Sequence, residues 1–148
     1  MAFGIKNISK KSGNDFAVPK LEGLWWVEVE KPFLEVPREE WHWKLLIRLP
    51  DFVTFEMYHQ AKTELIKKKK LELVNDISFE KMTEGACVQI MHVGPYSTET
   101  KTIEKMYQFI NKNKLIPSGL HHEIYLSDPR RTEPEKLKTI LRQPVKEK

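Results

Sequence analysis

The chain has 148 residues, 40% hydrophobic and 31% charged, a length and balance that fit one ordinary globular domain and argue against a disordered chain. Its single cysteine, Cys87, excludes a disulfide framework and any multi-cysteine metal site. The formal charge of +4 raises nucleic acid as a partner, but the basic residues are scattered apart from Lys67-Lys68-Lys69-Lys70. That run reads as the solvated, dipole-complementing end of a helix, with no groove-reading element nearby, so no direct nucleic-acid contact is expected.

No apolar stretch approaches the roughly 18 residues that a membrane span needs, and the N-terminus lacks a signal-peptide pattern. The expectation is a soluble cytoplasmic protein with no membrane partner. Residues 1–148 read as a single domain, with residues 1–14 a polar, glycine-interrupted start. Within that start, Lys6 to Ser9 is a weak strand candidate. Leu24-Trp25-Trp26-Val27-Glu28-Val29-Glu30 alternates like a strand, with Val27 and Val29 on one face. Pro32 and Pro37 bracket a loop, and Trp41 to Arg48 forms a second strand stopped by Pro50.

Thr54 is placed to cap a helix reaching Lys69, with Phe55, Tyr58, Ala61, Leu65 and Ile66 on one stripe. Two strands are expected next, Asp76 to Met82 and Ala86 to Val93, joined by a turn at Glu84-Gly85. Ser97 is the candidate cap of a second helix, in which Ile103, Met106, Tyr107 and Ile110 recur at helical spacing. Gly119 precedes a strand from His121 to Leu126, Asp128-Pro129 ends it, and Lys138 to Val145 forms the last strand. Strands and two main helices in this order predict an α+β fold, with the helices on one face of a largely antiparallel sheet.

The segment His121-His122-Glu123-Ile124-Tyr125-Leu126 carries the clearest chemical signal. Alternation along a strand puts His121, Glu123 and Tyr125 on one face and leaves Ile124 and Leu126 to pack beneath the helices. A mid-strand carboxylate is costly to desolvate unless it is paired, solvated or functional. A solvated surface acid and a site acid both satisfy the alternation. Four tryptophans, Trp25, Trp26, Trp41 and Trp43, fall on two strands, and aromatic walls around one acid suit a planar or cationic ligand. The same rings are equally the material of a core. His92-Val93-Gly94-Pro95-Tyr96 makes a sharp strand exit that places a phenol at the corner, where it can donate to a ligand carbonyl or to Glu123.

The GPY turn, the helix after it, EIYLSDPRR and the terminal QPV strand together resemble the GyrI-like small-molecule-binding family. LEGLWW, WHWKLLIRLPDFV and EGACVQIMHVGPY are similar to its stand-alone bacterial subgroup, and the match runs from about Asp15 to Val145. The resemblance implies strand-helix-strand-strand modules around a central cleft, with Glu123 as the central acid. This subgroup includes hydrolases of cyclopropane-bearing, DNA-alkylating natural products. Carried over, that implies Glu123 and Tyr96 as the catalytic pair, with Tyr125 the second candidate. Trp25, Trp26 and Trp43 would stack a flat substrate, with His92 and His121 beside them. Members of this subgroup usually carry a further strand and helix before the region matching Lys6 to Trp26, so the first module is expected to be incomplete, with an exposed edge that opens the way to a homodimer or to instability.

A metal site at His92, His121 and His122 is not expected, because adjacent strand residues point to opposite faces. Cys87 reads as a small buried strand residue rather than a nucleophile, and there is no phosphate-binding glycine loop or serine elbow. No cofactor is implied. The expected function is binding of aromatic or cationic small molecules around Glu123, with hydrolysis of electrophilic ring compounds. The alternatives are drug sequestration without turnover and a protein-interaction role of the topoisomerase-modulator type.

Overall fold

The computed structural model describes residues 1–29, 31, 35–69 and 72–148, and of Lys69 and Glu72 the backbone only. Among these residues the helices are α1 (Ala2–Lys11), α2 (Phe55–Lys69) and α3 (Thr100–Lys112). The strands are β1 (Glu22–Trp26), β2 (His42–Leu46), β3 (Cys87–Val93), β4 (Leu115–Pro117), β5 (His121–Tyr125) and β6 (Lys138–Glu147). The fold is α+β, as the sequence predicts. Two compact units divide the chain: Met1–Pro19 with Ile47–Met82, and Lys20–Leu46 with Thr83–Lys148.

The first unit is helical. Lys6 to Ser9, expected as a strand, lies inside α1. Ile5 and Ile8 stand one helical turn apart and are buried with Val53, Tyr58 and Ala61, which a period-2 strand would not achieve. Lys10 and Lys11 fall in the last turn, where cations suit the helix dipole. Thr54 caps α2 as expected, its Oγ1 accepting from the Met57 amide at 3.3 Å. Of the predicted α2 stripe, Tyr58 and Ala61 are buried, whereas Phe55 and Ile66 are exposed.

The strand expected at Asp76 to Met82 is absent. Glu72–Asp76 is a 3₁₀ turn and irregular backbone follows it. Side chains of α2 bond the backbone where that strand would have begun. The Tyr58 hydroxyl donates to the Ile77 carbonyl, and the Lys62 ammonium donates to the carbonyls of Asn75 and Ile77. Lys70, at the end of the lysine run, lies outside the described residues, as do Glu30 and Pro32.

The second unit is a sheet in the order β2-β1-β5-β6-β3, with β4 also pairing β6, and every pairing is antiparallel. Strand β1 ends at Trp26, short of Val27 and Val29, and β2 is shorter than the predicted Trp41 to Arg48. Directly paired residues share a face. The register therefore puts Gly23, Trp25, Trp43, Glu123, Leu141 and Ile90 on one side. Helix α3 covers part of that side: Ile103, Met106 and Ile110 pack on Leu141 and Val145, with Val88 and Ile90 against them.

This corrects the expected orientation of β5. Ile124 points away from α3 and is only half-buried, while Glu123 points to the helix-bearing side. The reason is the partner register. Leu141, paired with Glu123, supplies the apolar contact under α3 that Ile124 was expected to make. Ser97 does not cap α3 either. A 3₁₀ turn, Tyr96–Thr98, intervenes, and Glu99 occupies the cap position.

Ile110 is fully buried at the α3–sheet contact. Ile110→Ala should destabilise the chain by about 2–5 kcal/mol in equilibrium denaturant unfolding.

Candidate functional site

Glu123 sits in mid-strand β5 between Gly23 of β1 and Leu141 of β6, and it is 1% exposed. The Tyr125 hydroxyl, two residues along on the same face, donates to Glu123 Oε2 at 2.8 Å. Trp25 Nε1–H in turn donates to the Tyr125 oxygen at 3.1 Å. This relay from indole to phenol to carboxylate crosses over Gly23. A Cβ at residue 23 would lie 2.8 Å from the Tyr125 hydroxyl and 2.9 Å from Trp25 Nε1, so only glycine leaves the space.

The other oxygen, Glu123 Oε1, is buried and has no hydrogen-bond partner among the described residues. His121 Nε2 is 3.5 Å from it and Arg38 Nη2 is 3.8 Å away. Arg38 enters from the 3₁₀ turn Arg38–Glu40 that precedes β2. It pairs with Glu99 Oε2 at 2.9 Å, donates through Nη1 to the Tyr96 carbonyl at 2.8 Å, and lies over the Trp41 ring at 5.2 Å. Trp41 packs edge-on against Trp25 and donates to the Val36 carbonyl at 3.0 Å. Glu28, Val29, Val36, Glu39, Glu40, Trp41 and His42 line an open hollow of about 400 Å³, and neither Arg38 nor Glu123 is among its lining residues.

Two carboxylates thus share one guanidinium in a desolvated setting. Glu99 is also 1% exposed, and its Oε1 has no hydrogen-bond partner among the described residues. Burial and the nearby Glu123 push the Glu99 carboxyl up to about 7, against the opposing pull of Arg38. Burial, with Glu123 next, raises the Tyr125 phenol, and burial with Glu99 and Glu123 raises Tyr96. Both phenols are therefore neutral donors at neutral pH.

The structure brings Glu123, Tyr125, His121 and Trp25 together, and Tyr96 joins them through an edge-to-face contact with Tyr125 at 5.9 Å. The tyrosine bonded to the acid is Tyr125, the second candidate, rather than Tyr96. Trp43 pairs with Trp25 on the same face but is 58% exposed. Trp26 lies on the opposite face, stacked on His42. His92 is buried at the strand-helix corner, its Nδ1 2.9 Å from Thr102 Oγ1 and its Nε2 3.2 Å from the Pro95 carbonyl. A carbonyl only accepts, so the proton is on Nε2 and the ring is spent on holding the corner. Among the described residues no group of three or more His, Cys, Asp or Glu is placed to hold a metal ion.

Sequence reasoning missed Arg38, Glu99 and Gly23. Glu99 lies two residues past Ser97, the expected helix cap, and Arg38 directly follows Pro37, the end of the proline-bracketed loop. The pairing of Gly23 with Glu123 needs the register, which no local pattern carries.

Gly23→Ala should cost about 1–3 kcal/mol of stability and change the near-ultraviolet circular dichroism of the Trp25–Tyr125 pair, because the added methyl breaks the relay. Glu99 gives a pH signature. Its folded value lies above the ordinary 4.5, so between about 4.5 and 7 the folded state holds a proton that the unfolded chain has released. Wild-type stability should therefore fall relative to Glu99→Gln as pH rises through that window, by on the order of 3 kcal/mol in urea unfolding curves collected from pH 4 to pH 8.

The GyrI-like small-molecule-binding domain model matches residues 8–146. No curated protein matches the chain. An uncharacterized conserved protein from Listeria innocua is 43% identical with a TM-score of 0.87, and the match covers 98% of this chain and 74% of that one. A structure described as a hydrolase from Listeria innocua is 42% identical with a TM-score of 0.82, again over 98% of this chain and 74% of that one. Among the described residues no helix is long and apolar enough to cross a membrane. With the family model spanning nearly the whole chain, this protein belongs to the GyrI-like small-molecule-binding domain family.

Proposed function

We propose that the chain binds planar aromatic small molecules against Glu123 and hydrolyses an electrophilic ring in them by adding water, with cyclopropane-bearing dienones as the substrate class. The observation that carries this reading is the division of labour between the two Glu123 oxygens. Oε2 is fixed by Tyr125, and Oε1 is desolvated, oriented and without a hydrogen-bond partner among the described residues. An acid with only a packing role would have both oxygens satisfied. The hydrolase description of a 42% identical Listeria innocua protein supports an enzymatic role.

In this reading Oε1 of Glu123 takes a proton from water as the water oxygen bonds to a ring carbon. The strained carbon–carbon bond breaks, and its electron pair moves into the dienone, which becomes aromatic. A neutral phenol, Tyr96, gives its proton to the former carbonyl oxygen, and solvent returns the proton held by Glu123 to Tyr96. The net change is addition of one water. Tyr125 keeps the carboxylate aimed, and Trp25 fixes Tyr125 in turn, so the site is preorganised before substrate arrives. Trp43, which is 58% exposed, offers the aromatic face on which a flat substrate stacks.

The test is turnover of a cyclopropane-dienone followed by mass spectrometry. Water addition is expected for the native chain, with a loss of about 10²–10⁴-fold in kcat/KM for Glu123→Gln. Undiminished turnover by Glu123→Gln would falsify the role of that carboxylate. Saturable binding without product would replace hydrolysis with sequestration.

A further inference from the structure

The site described above already contains a cation, and its surroundings are those that a cationic ligand would seek. Such a ligand needs an aromatic face within about 6 Å, a carboxylate in a partly desolvated place, and acceptors for any N–H groups. Arg38 has all three. Its guanidinium lies 5.2 Å over Trp41, 2.9 Å from Glu99 Oε2 and 3.8 Å from Glu123 Oε1, and it donates to the Tyr96 carbonyl at 2.8 Å. A guanidinium is itself planar and delocalised, the same shape of charge that a flat aromatic cation would bring.

We propose that Arg38 is the specificity-determining residue of the Glu123 site: its guanidinium fills the seat a ligand's cation would take, so the site selects neutral planar ligands over cationic ones. The inference rests on the small-molecule reading above and narrows its ligand class. A cationic ligand must displace Arg38, leaving Glu99 Oε2 and the Tyr96 carbonyl without their present donor, or else bind beside a like charge. Either route costs affinity. A neutral ligand meets neither penalty. If negative charge develops on its oxygen during reaction, the guanidinium fork is already in place to oppose it.

Arg38 is suited to substitution, because its side chain is 40% exposed and it lies on a short 3₁₀ turn outside the buried clusters. Two flat fluorescent probes of nearly equal shape, N-methylacridinium and neutral N-methylacridone, report the preference by fluorescence titration. The native chain should favour the acridone. Arg38→Met keeps the aliphatic stem and removes the charge, and should shift the affinity ratio toward the acridinium by about tenfold. Arg38→Gln should shift it the same way, so the measurement does not depend on one variant folding. Arg38→Lys, which keeps the charge, should retain the native preference. Adding Glu123→Gln to Arg38→Met should abolish the gained affinity for the cation. An unchanged ratio in both charge-removing variants, with both probes still binding, overturns the role of Arg38 and leaves the site itself standing. Failure of both probes to bind any variant or the native chain overturns the small-molecule site together with this inference.

Discussion

The Glu123 carboxylate is 1% exposed and holds one hydrogen bond, so its surroundings must keep an acid in the sheet without burying it unsupported. Desolvating an ion costs several kcal/mol, and one bond does not offset that alone. Strand β1 supplies the support. Trp25 donates to the phenol that donates to the acid, and bonds in such a chain polarise one another. Gly23, directly across from Glu123, is the space through which they meet. The Gly-x-Trp of one strand and the Glu-x-Tyr of its neighbour therefore work as a single part, held by an antiparallel register that a one-residue slip would destroy.

The same alternation that sends Glu123 to the helix side sends His122 to the other, where a second ionic cluster forms. His122 is 2.8 Å from Glu22 and 2.8 Å from Glu84, and Arg142 pairs with Glu84 at 2.9 Å. Burial works against the His122 imidazolium, yet the two carboxylates outweigh it and raise its pKa. Both ring nitrogens and one oxygen of each glutamate are engaged, and Glu84 uses its second oxygen on Arg142. That cluster is closed on itself and ties the segment before β3 to the sheet. The Glu123–Glu99 cluster has the opposite character: Glu123 Oε1 lacks a hydrogen-bond partner among the described residues, and Arg38, which lies near both acids, hydrogen-bonds Glu99 at 2.9 Å but stands 3.8 Å from Glu123. The two faces of β5 thus carry different clusters: His122 draws two part-exposed glutamates into a satisfied group, while Glu123 meets a second fully buried acid, Glu99.

The α+β class, the helices α2 and α3 and the strands β5 and β6 were legible because their patterns are local. Ile103, Met106 and Ile110 recur at helical spacing, and His121, Glu123 and Tyr125 alternate. What failed to show were features set by partners distant in sequence. Asp76 to Met82 has strand-like residues, yet Tyr58 and Lys62 both bond the Ile77 carbonyl near its start. Ile124 looks like the core residue of β5, yet Leu141, seventeen positions later, takes that place. Alternation set Glu123 and Tyr125 on one face but fitted a solvated surface acid as well, and it was the family resemblance that singled Glu123 out. Arg38 and Glu99, 61 residues apart, meet only in the fold.

The way α3 begins explains how Glu99 comes to face Arg38. The corner before it is rigid: Gly94 has a φ of +136°, which disfavours any side chain there, and His92 ties the turn to Thr102 in the first turn of the helix. Thr98 Oγ1 donates to the Pro95 carbonyl and closes the 3₁₀ turn from within. Glu99 then occupies the cap position with helical backbone angles and makes no side-chain capping bond. A cap side chain ordinarily accepts from the free amides of the first turn and is worth about 1 kcal/mol. Glu99 forgoes that bond, and its carboxyl turns to Arg38 and Glu123 instead. A residue that gives up its local role to be buried beside another acid costs the helix a cap and costs the fold stability as pH rises, and what it gains is its ion pair with Arg38.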